Sequence, residues 1–228
     1  MTGIGDLTPD QIRQRLLSFN PSYVEDWNQW LTVRHSYPLD HAAPEFAHII
    51  RKWNACRPNP VRRCRDEDAH GSPYIDDLFN HGIEVCVVLR NFDLRQTDSI
   101  NDNTTKALCQ LWKIFKDLSY RGTGRKNCRN GKAGVVGISK GVLLLTEGRV
   151  GPAFDSEVRK ALEIGDILTA ENWIDTLRWV IQDVSRFERL NHCSLKEVAP
   201  DAFRSFHYGR LYDMVFGPRA KQSELRKR

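Results

Sequence analysis

Lys140 and Asp155 are the residues whose types and setting could do covalent chemistry in this chain. They lie in a segment that begins with a glycine turn at Gly134 and continues through a short apolar run and a Gly/Pro break to Asp155. Lys140 is predicted to open the apolar helix, and Asp155 is predicted to cap the helix that follows it. These helix ends would place both side chains at the same end of two antiparallel elements. Taken alone, the pair is more typical of a surface lysine and a helix cap.

A basic, glycine-rich interval surrounds Lys140. No acidic residue occurs between Asp117 and Glu147, although the whole chain has 34 Lys and Arg against 29 Asp and Glu, a formal charge of +5. Glycine lets backbone amides approach an anion, and basic side chains bind phosphate oxygens. We therefore predict that this interval binds nucleic-acid phosphates, with a basic, solvated loop as the alternative. The residues predicted to contact the nucleic acid are Arg121, Arg125, Lys126, Arg129, Lys132, Gly134, Gly137 and Ser139.

These glycines do not form a nucleotide-binding motif. A Walker A loop needs a Gly-Lys-Ser/Thr triplet after its first glycines, whereas Gly137 is followed by Ile-Ser-Lys-Gly. A dinucleotide fingerprint needs a βαβ unit, which the helical periodicity does not support. A nucleic acid is therefore favoured over a free nucleotide as the bound anion.

The stretch 131–162 resembles the helix-hairpin-helix DNA glycosylases, the superfamily that includes the 8-oxoguanine and adenine glycosylases. Members carry a glycine–hydrophobic–glycine hairpin turn, a lysine after that turn when they are lyase-competent, and a catalytic aspartate within a Pro-x-hydrophobic-Asp stretch. Pro152-Ala-Phe-Asp155 matches this stretch, with Val158 following it, and Lys140 stands where the family lysine would.

The chain is similar to a divergent, 8-oxoguanine-glycosylase-like member of that superfamily. Its turn reads Gly134-Val-Val-Gly137, and the distance from Lys140 to Asp155 is fifteen residues, shorter than the family spacing. The similarity covers about one-seventh of the chain. The family's four-cysteine iron–sulfur loop is absent from the sequence, and no cofactor is expected.

The resemblance implies a DNA N-glycosylase that excises a damaged or modified base, with or without AP lyase activity. Asp155 would stabilise the positive charge that develops on the sugar, and Lys140 would attack the anomeric carbon to form a Schiff base. The partner would be double-stranded DNA with a flipped base, and Phe154 and Trp173 are the predicted pocket aromatics. An oxidised purine, an alkylated base, and a hypermodified phage base excised in antiviral defence all remain open as substrates.

Two other function classes stay open. The first is a non-catalytic DNA-binding module with a degenerate helix-hairpin-helix. The second is a metal-dependent nuclease with carboxylates from Asp66-Glu67-Asp68 or Asp76-Asp77, although adjacent acids on a loop are more often solvated. Of these function classes the nuclease ranks last. A zinc site is also conceivable but disfavoured, since its ligand spacings match no familiar module. Its ligands would be Cys56, Cys64, His70 and His81.

The elements that must position these residues are predicted to be helices nearly throughout. Apolar residues recur at helical spacing, and strand signals at 85–89 and 142–145 are short and unalternating. We therefore predict an all-α, compact two-lobed fold with a helix-hairpin-helix element at the lobe junction. Predicted helices follow Thr8-Pro9, Asn20-Pro21 and Pro44, cover 73–90 (with a break at Gly82), 104–118 and 173–187, and end with 200–216.

The chain-level expectations follow from length, charge and cysteine use. The 228 residues fit one helical unit, with lobes 1–120 and 121–228 and a basic tail 219–228 that is either frayed or a phosphate-binding arm. Six scattered cysteines and the lack of a signal peptide predict reduced thiols and a cytoplasmic, nucleoid-associated or nuclear location. No apolar run reaches the roughly 20 residues that span a bilayer. We expect a monomer that does not bind membranes.

Overall fold

The fold is built from α-helices joined by short 3-10 turns. The structure is a computed structural model that describes residues 2–36, 39–122 and 131–220, with residues 39–41 described by their backbone alone. Within these residues the only β pairing consists of two isolated bridges, so the predicted all-α class is confirmed. The helices are α1 (Pro9–Leu17), α2 (Pro21–Ser36), α3 (Leu39–Lys52), α4 (Ile75–Cys86), α5 (Asp102–Phe115), α6 (Val135–Leu145), α7 (Ser156–Ala161), α8 (Ala170–Asn191), α9 (Leu195–Val198) and α10 (Tyr208–Phe216).

Several helix starts follow directly from local sequence. Thr8 accepts a hydrogen bond from the Gln11 backbone and is followed by proline at the first helical position of α1, as predicted. Asn101 caps α5 by accepting from two backbone amides. Side-chain oxygens therefore satisfy backbone donors at these starts that the helices themselves leave unpaired.

Two predicted helix limits are wrong. The third helix begins at Leu39, and Pro44 lies in its second turn, where its missing N–H costs one hydrogen bond without ending the helix. Helix α4 runs through Gly82 without a break. A Cβ at Gly82 would lie 2.6 Å from Leu145 Cδ2, so this glycine permits close packing of α4 against α6.

The predicted last helix, 200–216, is two elements. A 3-10 turn covers Asp201–Phe203, and α10 begins only at Tyr208. Beyond α10, Arg219 donates to Arg15 O at 2.6 Å and to Met214 O at 3.0 Å, and burial lowers its pKa to about 10. The first residue of the predicted tail is therefore docked, while residues 221–228 lie outside the described residues.

Helix α6 is the central element of the core. Ten of its residues are buried, and it packs against α3, α4 and α5. Its C-terminal end is also held by the indole of Trp30, which donates to Leu144 O at 2.9 Å. Lys140 lies in the middle of this helix and not at its start, which corrects the sequence-based placement.

The two ends of the chain pack on each other. The 3-10 turn Ile4–Asp6 lies against α8, where Asp183 accepts from the amides of Ile4 and Gly5, and α1 lies against α10. The division into lobes at residue 120 stays a prediction. Among the residues described, none of the helices combines the length and the hydropathy needed to span a bilayer.

Candidate active site

Lys140 is buried at the centre of the candidate site. Its side chain is 6% exposed, and Nζ donates to Trp53 O at 3.0 Å. The same nitrogen lies 3.6 Å from Asp155 Oδ2, so the structure brings the two predicted catalytic side chains together. Burial lowers the pKa of Lys140, and the nearby carboxylates of Asp155 and Asp213 oppose that shift.

Asp155 caps α7 with one oxygen and faces Lys140 with the other. Oδ1 accepts from the backbone amides of Glu157 and Val158, both at 3.0 Å. The predicted helix cap is therefore confirmed, and it fixes the direction of Oδ2. The Asp155 side chain is 13% exposed, about twice the exposure of Lys140, so solvent or a ligand reaches the pair from the side of the carboxylate.

A buried hydroxyl ties the Asp155 loop to α6. Ser139 Oγ accepts from the Phe154 backbone N–H at 2.9 Å and donates to Val135 O at 2.7 Å. The residue before Lys140 therefore holds the residue before Asp155. This bond joins the segments that carry the two predicted catalytic side chains, and it was not predicted from the sequence.

A second ion pair lies beneath this loop on α10. Arg210 and Asp213 are buried and meet at 2.7 Å, and Asp213 Oδ1 also accepts from Ala153 N at 3.1 Å. Burial raises the pKa of Asp213 to about 6, with Arg210 acting in the opposite direction. Sequence reasoning missed both residues, because an Arg and an Asp three positions apart on a helix are usually an exposed pair.

Aromatic rings from the first helices form one wall of the site. The rings of Tyr23 and Trp53 lie 5.5 Å apart, and Lys140 Nζ lies 6.0 Å from the Trp53 ring centroid. Trp53 is fixed by a hydrogen bond from its indole to Asp26 Oδ2 at 2.8 Å. Burial raises the pKa of the half-buried Tyr23, and the carboxylates of Asp155, Asp213 and Asp26 add to that rise.

The aromatics predicted to line a base pocket lie elsewhere in the core. Phe154 and Trp173 are 0% and 1% exposed, and the Trp173 ring packs against Trp112 at 5.9 Å. Neither has a surface for a base, which corrects that prediction. Phe154 and Trp173 pack in the core. The tryptophan that lies next to Lys140 is Trp53.

The residues predicted to contact DNA separate into three groups. Arg121 and Gly134 are exposed at the two described ends of the basic interval, and Lys132 is exposed but paired with Asp117. Gly137 and Ser139 are buried within α6, so they hold the site together and do not reach a phosphate. The predicted contacts at Arg125, Lys126 and Arg129 lie outside the described residues.

The helix-hairpin-helix element is not confirmed. Gly134 is the residue that precedes α6, and Val135 to Gly137 form the first turn of that helix. Among the described residues, the glycine pattern therefore belongs to the start of α6. Gly137 serves packing, because a Cβ there would lie 3.1 Å from Cys56 Sγ.

The residues considered for metal binding are dispersed or paired with arginines. Within the described residues, no group of three His, Cys, Asp or Glu side chains is placed to hold a metal ion. Asp77 accepts two bonds from Arg65, and Glu67 accepts two from Arg51. Five cysteines are free thiols, namely Cys56, Cys64, Cys86, Cys109 and Cys193, while Cys128 lies outside the described residues.

The arrangement combines a desolvated amine with a fixed carboxylate, backed by a buried ion pair and an aromatic wall. A lysine whose pKa is lowered by burial can act as a nucleophile. A fixed carboxylate stabilises positive charge nearby, most strongly where water is excluded.

Comparison of the chain with models of protein families, with curated proteins and with solved structures found no match.

Proposed function

We propose that this protein is a DNA glycosylase that releases a damaged or modified base, with Lys140 as nucleophile and Asp155 as the stabilising carboxylate. The proposal depends mainly on one observation, the 3.6 Å contact between Lys140 Nζ and Asp155 Oδ2 in a largely buried setting. Burying a charged lysine costs free energy unless the amine is paired with a carboxylate. Buried ionisable pairs of this kind are common at functional sites, whereas an exposed lysine carries no such indication.

Asp155 would act on the sugar. Breaking an N-glycosidic bond leaves positive charge on the ring oxygen and the anomeric carbon, which a carboxylate on one face stabilises. Asp155 Oδ1 is engaged by the α7 cap, so Oδ2, which lies 3.6 Å from Lys140 Nζ, is the oxygen that would face the sugar. Because the cap holds the carboxylate in place, little reorganisation is needed during the reaction.

Lys140 would act as the nucleophile in its neutral form. Its lone pair forms a bond to C1′ while the bond from C1′ to the base breaks, and that electron pair leaves with the base, which takes up a proton. Asp155 Oδ2 is placed to accept the proton that the amine loses. The nitrogen lone pair would then form the C1′=N bond of a Schiff base as the C1′–O4′ bond breaks and O4′ takes up a proton. Loss of a proton from C2′ with departure of the 3′ phosphate would then cleave the strand.

The basic interval supports DNA as the substrate. Arg121 and Gly134 mark its described ends on the surface, and the sequence between them carries further basic residues and no acidic one. Phosphate contacts of this kind give affinity without reading sequence. The proposed substrate is therefore a base within a DNA strand and not a free nucleoside.

Borohydride trapping tests the role of Lys140. Duplexes carrying oxidised, alkylated and hypermodified bases are incubated with the protein and borohydride, which reduces a Schiff base to a stable cross-link. We expect a cross-link that maps to Lys140 and disappears in Lys140→Gln. Lys160→Gln is the matched control because Lys160 is an exposed lysine on α7, and it should cross-link like the wild type.

Two results would contradict the proposal. A cross-link that persists in Lys140→Gln would exclude Lys140 as the nucleophile. A wild type that binds the duplexes but neither cross-links nor releases any base would favour the non-catalytic DNA-binding module instead.

A further inference from the structure

A cavity of ≈ 700 Å³ opens beside the candidate site. Its wall includes Asn54 and Cys56, which follow directly after Trp53, the residue whose carbonyl accepts from Lys140 Nζ. Cys56 also packs against Gly137, one turn before Lys140 on α6. The short segment 53–57 therefore connects the two, since Trp53 borders the Lys140 site and Asn54, Cys56 and Arg57 line the cavity.

Asn59 is a buried residue in the cavity wall with an unpaired acceptor. It is 5% exposed, and its Nδ2 donates to Lys132 O at 3.1 Å, which fixes the orientation of the amide. Its Oδ1 has no hydrogen-bond partner among the described residues. Buried acceptors are nearly always paired, so this atom calls for a donor from outside the protein.

Three arginines line the cavity against one acidic residue, Glu67, and two of these arginines lack an ion pair among the described residues. Arg57 and Arg63 are exposed and make no ion pair within the described residues. Arg51, on the same wall, is by contrast held by two bonds to Glu67. Arg57 and Arg63 are therefore free to bind phosphate oxygens.

The cavity also adjoins the basic interval. Tyr120 lies in its wall, and the Tyr120 backbone N–H donates to Pro60 O at 3.2 Å. Lys132, whose carbonyl holds Asn59, belongs to the same interval. A strand bound near Tyr120 and Lys132 would therefore pass the mouth of this cavity.

We propose that this cavity binds one nucleotide of the DNA strand, with a base N–H donated to Asn59 Oδ1 and the flanking phosphates held by Arg57 and Arg63. A nucleotide is the ligand that supplies both a hydrogen-bond donor and an anion, and the half-buried Tyr120 offers an aromatic ring beside the base. The inference rests on the proposed function for its choice of DNA, and it assigns binding roles to residues outside the Lys140 and Asp155 pair.

Equilibrium binding of short single strands to the full chain tests this assignment. The probes are the four deoxyhomotetramers and a tetramer of an abasic analogue, which has the same phosphates and no base. For at least one homotetramer we expect affinity about tenfold higher than for the abasic tetramer, since a buried acceptor gains its donor. Asn59→Leu should lose that advantage while binding the abasic tetramer as the wild type does.

Arg57→Gln separates the phosphate contacts from the base contact. It should weaken all five tetramers by a similar factor and reduce the salt dependence of binding, because it removes one phosphate contact. Equal affinity of the wild type for homotetramers and abasic tetramer would overturn the proposal. A base preference that survives in Asn59→Leu would overturn it as well.

A direct signal keeps the test decisive if Asn59→Leu does not fold. In the wild type, the side-chain amide resonances of Asn59 should shift when a preferred homotetramer is added and stay in place with the abasic tetramer. Identical shifts with both probes would contradict the base contact.

Failure of this proposal is distinguishable from failure of the glycosylase. If the wild type prefers base-bearing tetramers but releases no base, the nucleotide-binding role of the cavity is supported and the catalytic proposal is overturned. If the wild type releases base but shows no preference for base-bearing tetramers, the glycosylase proposal is supported and the nucleotide-binding role of the cavity is overturned.

Discussion

At the scale of single residues, Lys140 experiences two opposing effects. Burial within α6 disfavours its charged form, whereas the carboxylates of Asp155 and Asp213 favour it. Burial is the larger effect, so the pKa of Lys140 lies below its usual value of 10.5. A lysine in this state offers a larger neutral fraction at neutral pH than an exposed lysine does.

The charge state of Lys140 gives the first prediction. Its ¹³Cε resonance in lysine-labelled protein should titrate below pH 10.5. In Asp155→Asn the midpoint should move to still lower pH, because the variant removes a negative charge that favours the ammonium form. An unchanged or higher midpoint in Asp155→Asn would show that the carboxylate does not act on Lys140.

Asp155 gives a prediction that separates its structural role from its charge. Asp155→Ala should lower the free energy of unfolding by about 1 kcal/mol relative to Asp155→Asn, since asparagine can still cap α7 and alanine cannot. Both variants remove the same charge, so their difference in urea denaturation measures the cap. Equal stability of the two variants would contradict the hydrogen bonds seen at Oδ1.

The sequence predicted the Lys140 and Asp155 pair but not what surrounds it. The pair lies on one short segment, where the resemblance of 131–162 to the helix-hairpin-helix glycosylases singled it out. Arg210, Asp213 and Tyr23 come from distant segments, and only the packing of α10 and α2 brings them to the site. Periodicity carries no information on such long-range contacts.

At the scale of elements, the site depends on how α6 and the Asp155 loop are joined. Ser139 Oγ is the link, since it bonds to α6 at Val135 O and to the loop at Phe154 N. Both partners are buried, so no water replaces the hydroxyl if it is removed.

Removing this hydroxyl gives the third prediction. Ser139→Ala should lower the free energy of unfolding by about 1–3 kcal/mol, because the Phe154 N–H is left buried without an acceptor. Ser185→Ala is the matched control, as Ser185 makes the same bond to a carbonyl four residues earlier in α8. The control should change stability by no more than about 0.5 kcal/mol. Stability is measured by urea denaturation. An equal loss in the free energy of unfolding in both variants would contradict the proposed role of Ser139 in joining α6 to the Asp155 loop.

Helix boundaries could be predicted from the sequence where a capping residue determines them. They could not be predicted where tertiary packing determines them. Thr8 and Asp155 mark helix starts in the sequence, and each caps a helix in the structure. Asn101 also caps a helix, α5, but the sequence-based start of that helix was two residues too late. Gly82 and Gly137 suggested a break and a turn, yet both lie within helices. Glycine suits these positions because neighbouring atoms come close to where a Cβ would lie. A glycine in the sequence is typical both of a break or turn and of close packing within a helix, and the sequence alone does not distinguish the two.

At the scale of the whole molecule, the last helix supports the site through a close backbone approach. A Cβ at Gly209 would lie 2.5 Å from Gly148 O and 2.7 Å from Gly151 N, on the loop that leads to Asp155. Backbone atoms cannot move away as a side-chain end can. The contact between α10 and this loop therefore requires glycine at position 209.

This contact gives the fourth prediction. Gly209→Ala should lower the free energy of unfolding by about 2 kcal/mol or more, since overpacking against backbone forces the helix and loop apart. Gly165→Ala is the control, because a Cβ at Gly165 meets nothing within 4 Å, and it should be neutral or stabilising by up to about 1 kcal/mol. Similar thermal unfolding of the two variants would contradict the close approach.

The central claim is that Lys140 and Asp155 form a glycosylase site, and base release tests it most directly. Duplexes that each carry one oxidised, alkylated or hypermodified base are incubated with the protein, and free base is measured. We expect the wild type to release at least one of these bases. We also expect Asp155→Asn to bind the same duplex with nearly unchanged affinity and to release almost none. Base release by Asp155→Asn at the wild-type rate would exclude Asp155 as the stabilising carboxylate.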